Sequence, residues 1–192
     1  MTAAASVVDS ERLRLFLALR LPAESVETIA GWQARAFAGA DVRVVPPENL
    51  HVTLAFLGSR PAGVLPGIVE VLRETAAGAA PIRLAVERYR ETRSVAMLVL
   101  GDETGAATAF ADELQSGLEA ISAYRREPWP WLPHVTVARF KTRPRLQEES
   151  ADPIRTHVLV PSDAAAYLSR PGRAGAEYQI LESAPLGAPL GG

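Results

Sequence analysis

The sequence predicts an α+β fold, and three observations support that prediction. Patterns typical of strands and of helices follow one another along the 192 residues. A short motif, histidine–x–threonine inside an apolar, β-branched run, occurs twice, at His51 and at His134. Hydrophobic residues make up 48% and charged residues 22% of the chain, which is ordinary for a globular protein. A chain of this length forms one compact domain or two small lobes that share a core.

The first half of the chain alternates between strands and helices. Pro22 precedes the first helix, and Glu24 and Glu27 suit its first turn, where negative charge is favourable. Pro46 and Pro47 end a short strand and lead into the run that contains the first motif. In chain order we predict a strand at residues 14–19, a helix at 23–38, a short strand at 42–45, a strand at 50–57 and a helix at 61–77.

The second half begins with two strands that a short polar turn joins as a hairpin. The clearest helix of the chain follows, because apolar residues recur there at helical spacing: Ala107, Phe110, Ala111, Leu114, Leu118 and Ile121. The tail is rich in proline, glycine and alanine and is expected to fray. In order we predict strands at 82–90 and 94–100, a helix at 104–122, a strand at 133–140, a polar loop at 142–152, strands at 164–169 and 177–181, and a frayed tail at 184–192.

Charge and composition exclude several classes of protein. The net charge is −2, so the chain as a whole is no general binder of polyanions, and it contains no cysteine for a disulfide, a thiolate metal site or a nucleophile. No apolar stretch has the length of a membrane span, and Met1 to Ser10 lack the features of a signal peptide. We therefore expect a cytoplasmic monomer with no membrane partner. Its single two-lobed domain spans residues 1–192, with a core at about 12–186 and flexible ends at 1–11 and 187–192.

The two motifs place a histidine and a threonine side by side. Side chains on a strand alternate between faces, so His51 and Thr53 point to one side while Val52 points away. The same holds for His134 and Thr136. Each strand thus offers one imidazole and one hydroxyl. Two such pairs suit acid–base chemistry on a phosphate, which requires two groups that titrate near neutral pH and short hydrogen-bond donors.

One such motif alone is weak, because most buried histidines are core residues whose hydrogen bonds are satisfied. The repeat is the stronger signal, since two of the three histidines of the chain share this setting. The third, His157, is followed by Val158 and Leu159, with no hydroxyl two positions on. We interpret His157 as a structural or surface residue and as an internal control.

The two motif segments resemble the signature motifs of the two-histidine phosphoesterase superfamily, and in particular its bacterial and archaeal RNA 2′,3′-cyclic phosphodiesterases, long called 2′-5′ RNA ligases. The segments are residues 48–58, ENLHVTLAFLG, and residues 133–139, PHVTVAR. Residues 14–19 with Leu21-Pro22 resemble the family's first strand, and residues 166–169 and 177–181 resemble its closing strands. The resemblance covers roughly residues 12–186.

The resemblance implies two pseudo-symmetric lobes, each a small, mostly antiparallel sheet with outer helices, around a central cleft. It implies hydrolysis of RNA 2′,3′-cyclic phosphate ends to 2′-phosphomonoesters without metal or other cofactor, and reversible 2′-5′ ligation. His51 would be the proton donor and His134 the proton acceptor, although pseudo-symmetry leaves the roles open in the sequence. Thr53, Thr136 and Arg139 would bind the phosphate. Arg139 stands three residues after Thr136, so a bend or strand end is needed to bring both to one face.

Two further groups of residues are candidates for RNA contacts. A basic rim would consist of Arg88, Arg90, Arg93, Arg125, Arg126, Arg139, Lys141, Arg143 and Arg145, or these would be ordinary solvated charges. Trp129 and Trp131 would stack a base or serve as packing anchors. The family commonly has phenylalanine near Trp131 and an aromatic residue where this chain has Val99, which leaves base contacts open.

Other functions remain compatible with the sequence. The same chemistry could act on a small cyclic nucleotide, on ADP-ribose cyclic phosphate or on a 2′-5′-linked oligonucleotide. The fold could also serve as a nucleotide- or RNA-binding module without catalysis, although binding alone does not require two titrating groups. A metallohydrolase is disfavoured, because neither motif contains His-x-His or His-Glu-x-x-His and no acidic residue lies in either motif strand.

Overall fold

The structure, a computed structural model, describes residues 11–142, 154, 157–172 and 175–187. Within these residues, nine strands form one sheet in the order β7-β4-β5-β6-β3-β1-β8-β9, with β2 paired to β6, and every pairing is antiparallel. The strands are β1 (Arg12–Arg20), β2 (Arg43–Val44), β3 (His51–Pro61), β4 (Leu84–Glu91), β5 (Val95–Gly101), β6 (His134–Arg139), β7 (Val158–Leu159), β8 (Asp163–Gly172) and β9 (Gly175–Pro185).

The two halves of the sheet meet at a single residue pair. Val52 on β3 lies opposite Val135 on β6, and no other residue pair of the described strands joins these two. The predicted α+β class is confirmed. The two small sheets that the sequence predicts are not separate, because this one backbone pairing joins them before the strands diverge.

Three α-helices of the described residues cover one face of the sheet: α1 (Ala23–Ala36), α2 (Leu65–Ala77) and α3 (Ala106–Ala120). Their buried side chains share one apolar core with the alternate residues Leu15, Leu17 and Leu19 of β1. Helix α1 follows β1 in sequence but contacts the other half of the sheet, where Trp32 packs 5.9 Å from the ring of Tyr89. The opposite face of the sheet stays open for a site.

The predicted helices and strands all form, and their bounds differ by a few residues. The second helix begins at Leu65, after a 3₁₀ turn at Ala62–Val64, because the chain first completes β3 through Pro61. The sequence analysis missed β7 and a 3₁₀ turn at Pro47–Asn49. The expected fraying of the tail is wrong for residues 184–187, since the Gly187 amide donates to the Ala76 carbonyl. Residues 188–192 and most of the predicted loop at 142–152 lie outside the described residues.

A β-bulge interrupts each motif strand directly after its threonine. On β3, Thr53 lies opposite Ala18 and Ala55 lies opposite Leu17, so Leu54 is an extra residue. On β6, the extra residue is Val137, between residues that lie opposite Met97 and Ala96. A bulge shifts the alternation of side chains by one residue. The two motif strands therefore share one irregularity at equivalent positions.

Candidate active site

The four motif side chains lie on one face of the sheet. In an antiparallel pair, residues directly opposite each other point to the same side. The pairing of Val52 with Val135 sets the register of the two strands, and both valines belong to the core on the helix side. The histidine and threonine on either side of each valine consequently face away from the helices. The sequence-predicted His51, Thr53, His134 and Thr136 are thus brought together.

The bulges also decide where Arg139 points. Thr136 lies opposite Met97 and Arg139 lies opposite Val95, and these two β5 residues are two apart and share a face. Arg139 therefore stands on the same face as Thr136, despite an offset of three residues. The bulge at Val137 supplies the bend that the sequence analysis required. On β3 the same device puts Phe56 on the face of Thr53.

Two buried glutamines donate hydrogen bonds to the bulged residues. The Gln115 amide, on α3, lies 2.8 Å from the carbonyl oxygen of Leu54. The Gln33 amide, on α1, lies 2.7 Å from the carbonyl oxygen of Val137 and 3.0 Å from that of Val45. The two glutamines are only 5% and 2% exposed, so these donors are held within the core. Each helix thereby supplies a side-chain donor to the carbonyl of a bulged residue, and the Val137 carbonyl also accepts from the Val45 amide at 2.9 Å.

Matching hydrogen bonds orient the two imidazoles. The Nδ1 atom of His51 lies 2.7 Å from the Asn49 carbonyl oxygen, and that of His134 lies 2.8 Å from the Leu132 carbonyl oxygen. A carbonyl only accepts, so Nδ1 carries the proton in both rings. In the neutral tautomer Nε2 is then an acceptor, and the hydroxyl of Thr53 donates to Nε2 of His51 over 3.1 Å. In each ring Nε2 is therefore the nitrogen available for proton transfer.

Aromatic rings surround His51. Its ring centroid lies 4.9 Å from Phe16, 6.0 Å from Tyr167 and 5.5 Å from Tyr178. The pKa of His51 is lowered to about 4, mainly because the ring is desolvated by burial; the positive charges of His134 and Arg139 act in the same direction, and the Asn49 carbonyl acts in the opposite one. His51 is therefore neutral at pH 7 in the free protein.

A cavity of about 960 Å³ lies beside the motif strands. His51, Thr53, Thr136 and Arg139 line it, and His134 stands on the same sheet face beyond its edge. Much of the remaining wall was missed by the sequence analysis: Arg14 and Phe16 of β1, Arg43 of β2, Phe56 of β3, and Ser169 and Tyr178 of the β8–β9 hairpin. The available signal was the alternation of Arg14, Phe16 and Ala18 along the first strand.

The arginines of the cavity differ from most of the proposed basic rim. Of the rim residues that the structure describes, Arg139 alone lines the cavity. Arg88 and Arg90 lie opposite Val99 and Met97, so they share the site face but stand two strands from β6. Arg126 instead pairs with Asp112 at 2.9 Å. Arg143 and Arg145 lie outside the described residues.

The remaining candidates have structural contacts. The Trp131 indole donates to the Thr53 carbonyl at 2.9 Å, and that of Trp129 donates to Glu127 at 2.6 Å while 65% of Trp129 is exposed. His157 forms a hydrogen bond of 3.1 Å with Ser25 at the start of α1.

Within the described ranges, no three His, Cys, Asp or Glu side chains gather as metal ligands, and no helix is long and apolar enough to span a bilayer.

The chain is similar in sequence to known proteins. The family model described as the 2′-5′ RNA ligase superfamily matches residues 21–165. An RNA 2′,3′-cyclic phosphodiesterase of Thermus thermophilus is 30% identical over 137 residues, which are 67% of this chain and 69% of the relative. One of Methanothermobacter thermautotrophicus is 33% identical over 119 residues, 60% of this chain and 63% of that protein.

Solved structures extend the similarity to almost the whole chain. The crystal structure of TT0787 of Thermus thermophilus matches with a TM-score of 0.79 and 28% identity, over 91% of this chain and 98% of that one. Escherichia coli LigT complexed with 3′-AMP matches with a TM-score of 0.74 and 25% identity, over 92% and 99%. The chain belongs to the 2′-5′ RNA ligase superfamily.

Proposed function

We propose that this protein hydrolyses RNA 2′,3′-cyclic phosphate ends to 2′-phosphomonoesters by acid–base catalysis with two histidines. The observation that carries the proposal is the matched pair of imidazoles. Each is held through Nδ1 by the carbonyl two residues earlier, and each shares its sheet face with both motif threonines. Relatives at 30% and 33% identity are RNA 2′,3′-cyclic phosphodiesterases, and LigT binds 3′-AMP, which supports a substrate of this class.

The proposed reaction is an in-line displacement at phosphorus. The oxygen of a water molecule attacks phosphorus, and the bond from phosphorus to the ribose 3′-oxygen breaks. His134 takes the proton of the water, and His51 gives a proton to the departing 3′-oxygen. The 2′-oxygen keeps the phosphate. In the ligating direction the two roles exchange, as microscopic reversibility requires.

His51 can act as a proton donor only after the substrate has bound. Its pKa of about 4 keeps the ring neutral in the free protein. A phosphodiester brings a negative charge next to the ring, and an opposite charge nearby favours the protonated form. Substrate binding would thus favour protonation of His51 beside the leaving 3′-oxygen.

The phosphate oxygens would be held by hydroxyl and guanidinium groups. Thr53 and Thr136 stand beside the imidazoles and would donate to the non-bridging oxygens as charge develops on them. Arg139 shares their face and lines the cavity, so its guanidinium would add a charge-assisted hydrogen bond.

The proposal includes a monomer with one two-lobed domain, located in the cytoplasm. A small cyclic nucleotide as substrate, or binding without turnover, would leave the same fold unchanged and must be separated by experiment.

A metal-free assay tests the proposal. The protein is treated with EDTA and incubated with cyclic phosphates of a mononucleoside, of short RNA and of ADP-ribose, and phosphorus NMR identifies the product. We expect a 2′-phosphomonoester from RNA, at an undiminished rate in EDTA. A 3′-phosphate would reverse the substrate's orientation, and loss of activity restored by a divalent ion would refute the two-histidine mechanism. Binding of every substrate without turnover would indicate a non-catalytic module.

A further inference from the structure

Two arginines face each other across neighbouring strands beside the proposed catalytic centre. Arg43 on β2 lies directly opposite Arg139 on β6, so both side chains point to the same face. Like charges in that arrangement destabilise a sheet. The chain nevertheless places them at the wall of the cavity, together with Arg14 of β1. A negative ligand between them would remove the repulsion.

These three cations have no ion-pair partner in the part of the chain that the structure describes. Among the described residues, no carboxylate forms an ion pair with Arg14, Arg43 or Arg139, although Glu48 and Glu177 also line the cavity. Some arginines elsewhere do form ion pairs, as Arg20 does with Asp163 at 2.7 Å and Arg73 with Glu182 at 3.0 Å. Although the chain has a net charge of −2, three arginines without an ion pair to a described carboxylate therefore line one cavity.

The contacts of Arg43 and Arg14 hold them along an extended surface. The guanidinium of Arg43 lies against Gly175 at the start of β9, where a Cβ atom would stand 3.2 Å from Nη1. The guanidinium of Arg14 lies 4.8 Å from the ring centroid of Phe56, which keeps 48% of its surface exposed. Arginines interleaved with an exposed aromatic ring form the kind of surface that holds single-stranded nucleic acid.

A mononucleoside cyclic phosphate would use only part of this surface. It carries one phosphate, which Thr53, Thr136 and Arg139 would hold. The cavity of about 960 Å³ lies at the upper end of the roughly 300–1,000 Å³ of small-ligand sites. Beyond Arg139, the cavity wall would then face solvent, and Arg14 and Arg43 would contact no phosphate.

We propose that Arg43, flanked by Arg139 and Arg14, binds the internucleotide phosphate that precedes the terminal cyclic phosphate. The substrate class is then an oligonucleotide end, not a free mononucleotide, and the RNA leaves the site past the β8–β9 hairpin. This inference rests on the proposed function for the identity of the terminal group. The phosphate contact itself is independent of turnover.

Binding of product-like ligands tests the contact without catalysis. Calorimetry compares a dinucleotide that ends in a 2′-phosphate with the mononucleoside 2′-phosphate, on the wild type and on Arg43→Gln. We expect Arg43→Gln to weaken dinucleotide binding about tenfold, as for loss of one charge-assisted phosphate contact, and to change mononucleotide binding less than about twofold. Arg43→Lys should recover part of the loss, because a point charge remains.

Two further variants distinguish an RNA path past Arg43 from a path over β4 and β5. Arg35→Gln, on the outer surface of α1, is the matched control and should bind both ligands like the wild type. Arg88→Gln tests a path over β4 and β5. A length-dependent loss in Arg88→Gln but not in Arg43→Gln, or an equal loss for both ligands in Arg43→Gln, would overturn the proposal.

Turnover of the corresponding cyclic phosphates completes the test. We expect the loss in Arg43→Gln to appear in KM for the dinucleotide, with kcat nearly unchanged. If the wild type cleaves neither substrate but the length-dependent binding loss persists, the proposed function fails and the phosphate site stands. If the wild type cleaves both equally well and Arg43→Gln has no effect, the phosphate site fails and the proposed function stands.

Discussion

The side-chain amide of Gln33 lies 2.7 Å from the carbonyl oxygen of Val137, the extra residue in the bulge of the second motif strand. Gln115 repeats this relationship at Leu54 on the first motif strand. Each glutamine comes from a helix on the far side of the sheet from the site. The bulge at Val137 turns Arg139 to the face of Thr136, and the bulge at Leu54 turns Phe56 to the face of Thr53.

Loss of the Gln115 amide should affect both stability and catalysis. In Gln115→Met the carbonyl of Leu54 stays buried without its donor, which costs about 1–3 kcal/mol of unfolding free energy. We expect kcat to fall as the bulge relaxes and Thr53 shifts, with KM changed less. Leu118→Ala, on the same helix, should cost about 2–5 kcal/mol of stability while kcat of the folded protein is retained. Equal kcat in Gln115→Met and wild type would contradict this role.

Removal of either motif histidine should abolish turnover without unfolding the protein. His51→Ala and His134→Ala each remove one half of the proton transfer, worth about 10²–10⁴-fold in rate. Steady-state rates, with circular dichroism to confirm folding, test this. His157→Ala is the control, because His157 contacts Ser25 and not the cavity. Near-normal activity in either motif variant would refute the assignment.

Removal of a motif threonine should cost less than removal of a histidine. Thr53→Ala and Thr136→Ala each remove a donor to an oxygen that gains charge in the transition state, which corresponds to about 2–4 kcal/mol in kcat/KM. Serine keeps the hydroxyl, so Thr136→Ser should recover most of the rate. If serine were no better than alanine, the methyl group and not the hydroxyl would be the important part.

The lowered pKa of His51 predicts a pH-dependent stability. The folded-state pKa is about 4, while the unfolded chain has a pKa near 6.5. Between these values the unfolded state binds more protons, so stability increases with pH through this window and is lost on acidification. Across this window the titration of His51 changes the free energy of unfolding by roughly 3 kcal/mol. Denaturant unfolding from pH 4 to 7 should show a shallower dependence in His51→Asn than in the wild type, and identical slopes would argue against a buried neutral His51.

Local sequence patterns were enough to establish which side chains share a face. Alternation along a strand places His51 with Thr53 and His134 with Thr136, and this depends only on local backbone geometry. Apolar periodicity likewise located the helix predicted at 104–122, since a helix must bury one stripe against the sheet. Local rules were sufficient because neither inference needs to know what lies opposite.

What lies across from each strand follows only from the tertiary structure. The pairing of Val52 with Val135 merges the two halves, and the opposition of Arg43 and Arg139 concentrates charge at the cavity. The bulge at Val137 reverses the face on which Arg139 would lie on a flat strand. Register and bulges arise from long-range pairing between strands far apart in sequence, and a one-residue shift exchanges the two faces of a strand. No local pattern in the chain carries that information.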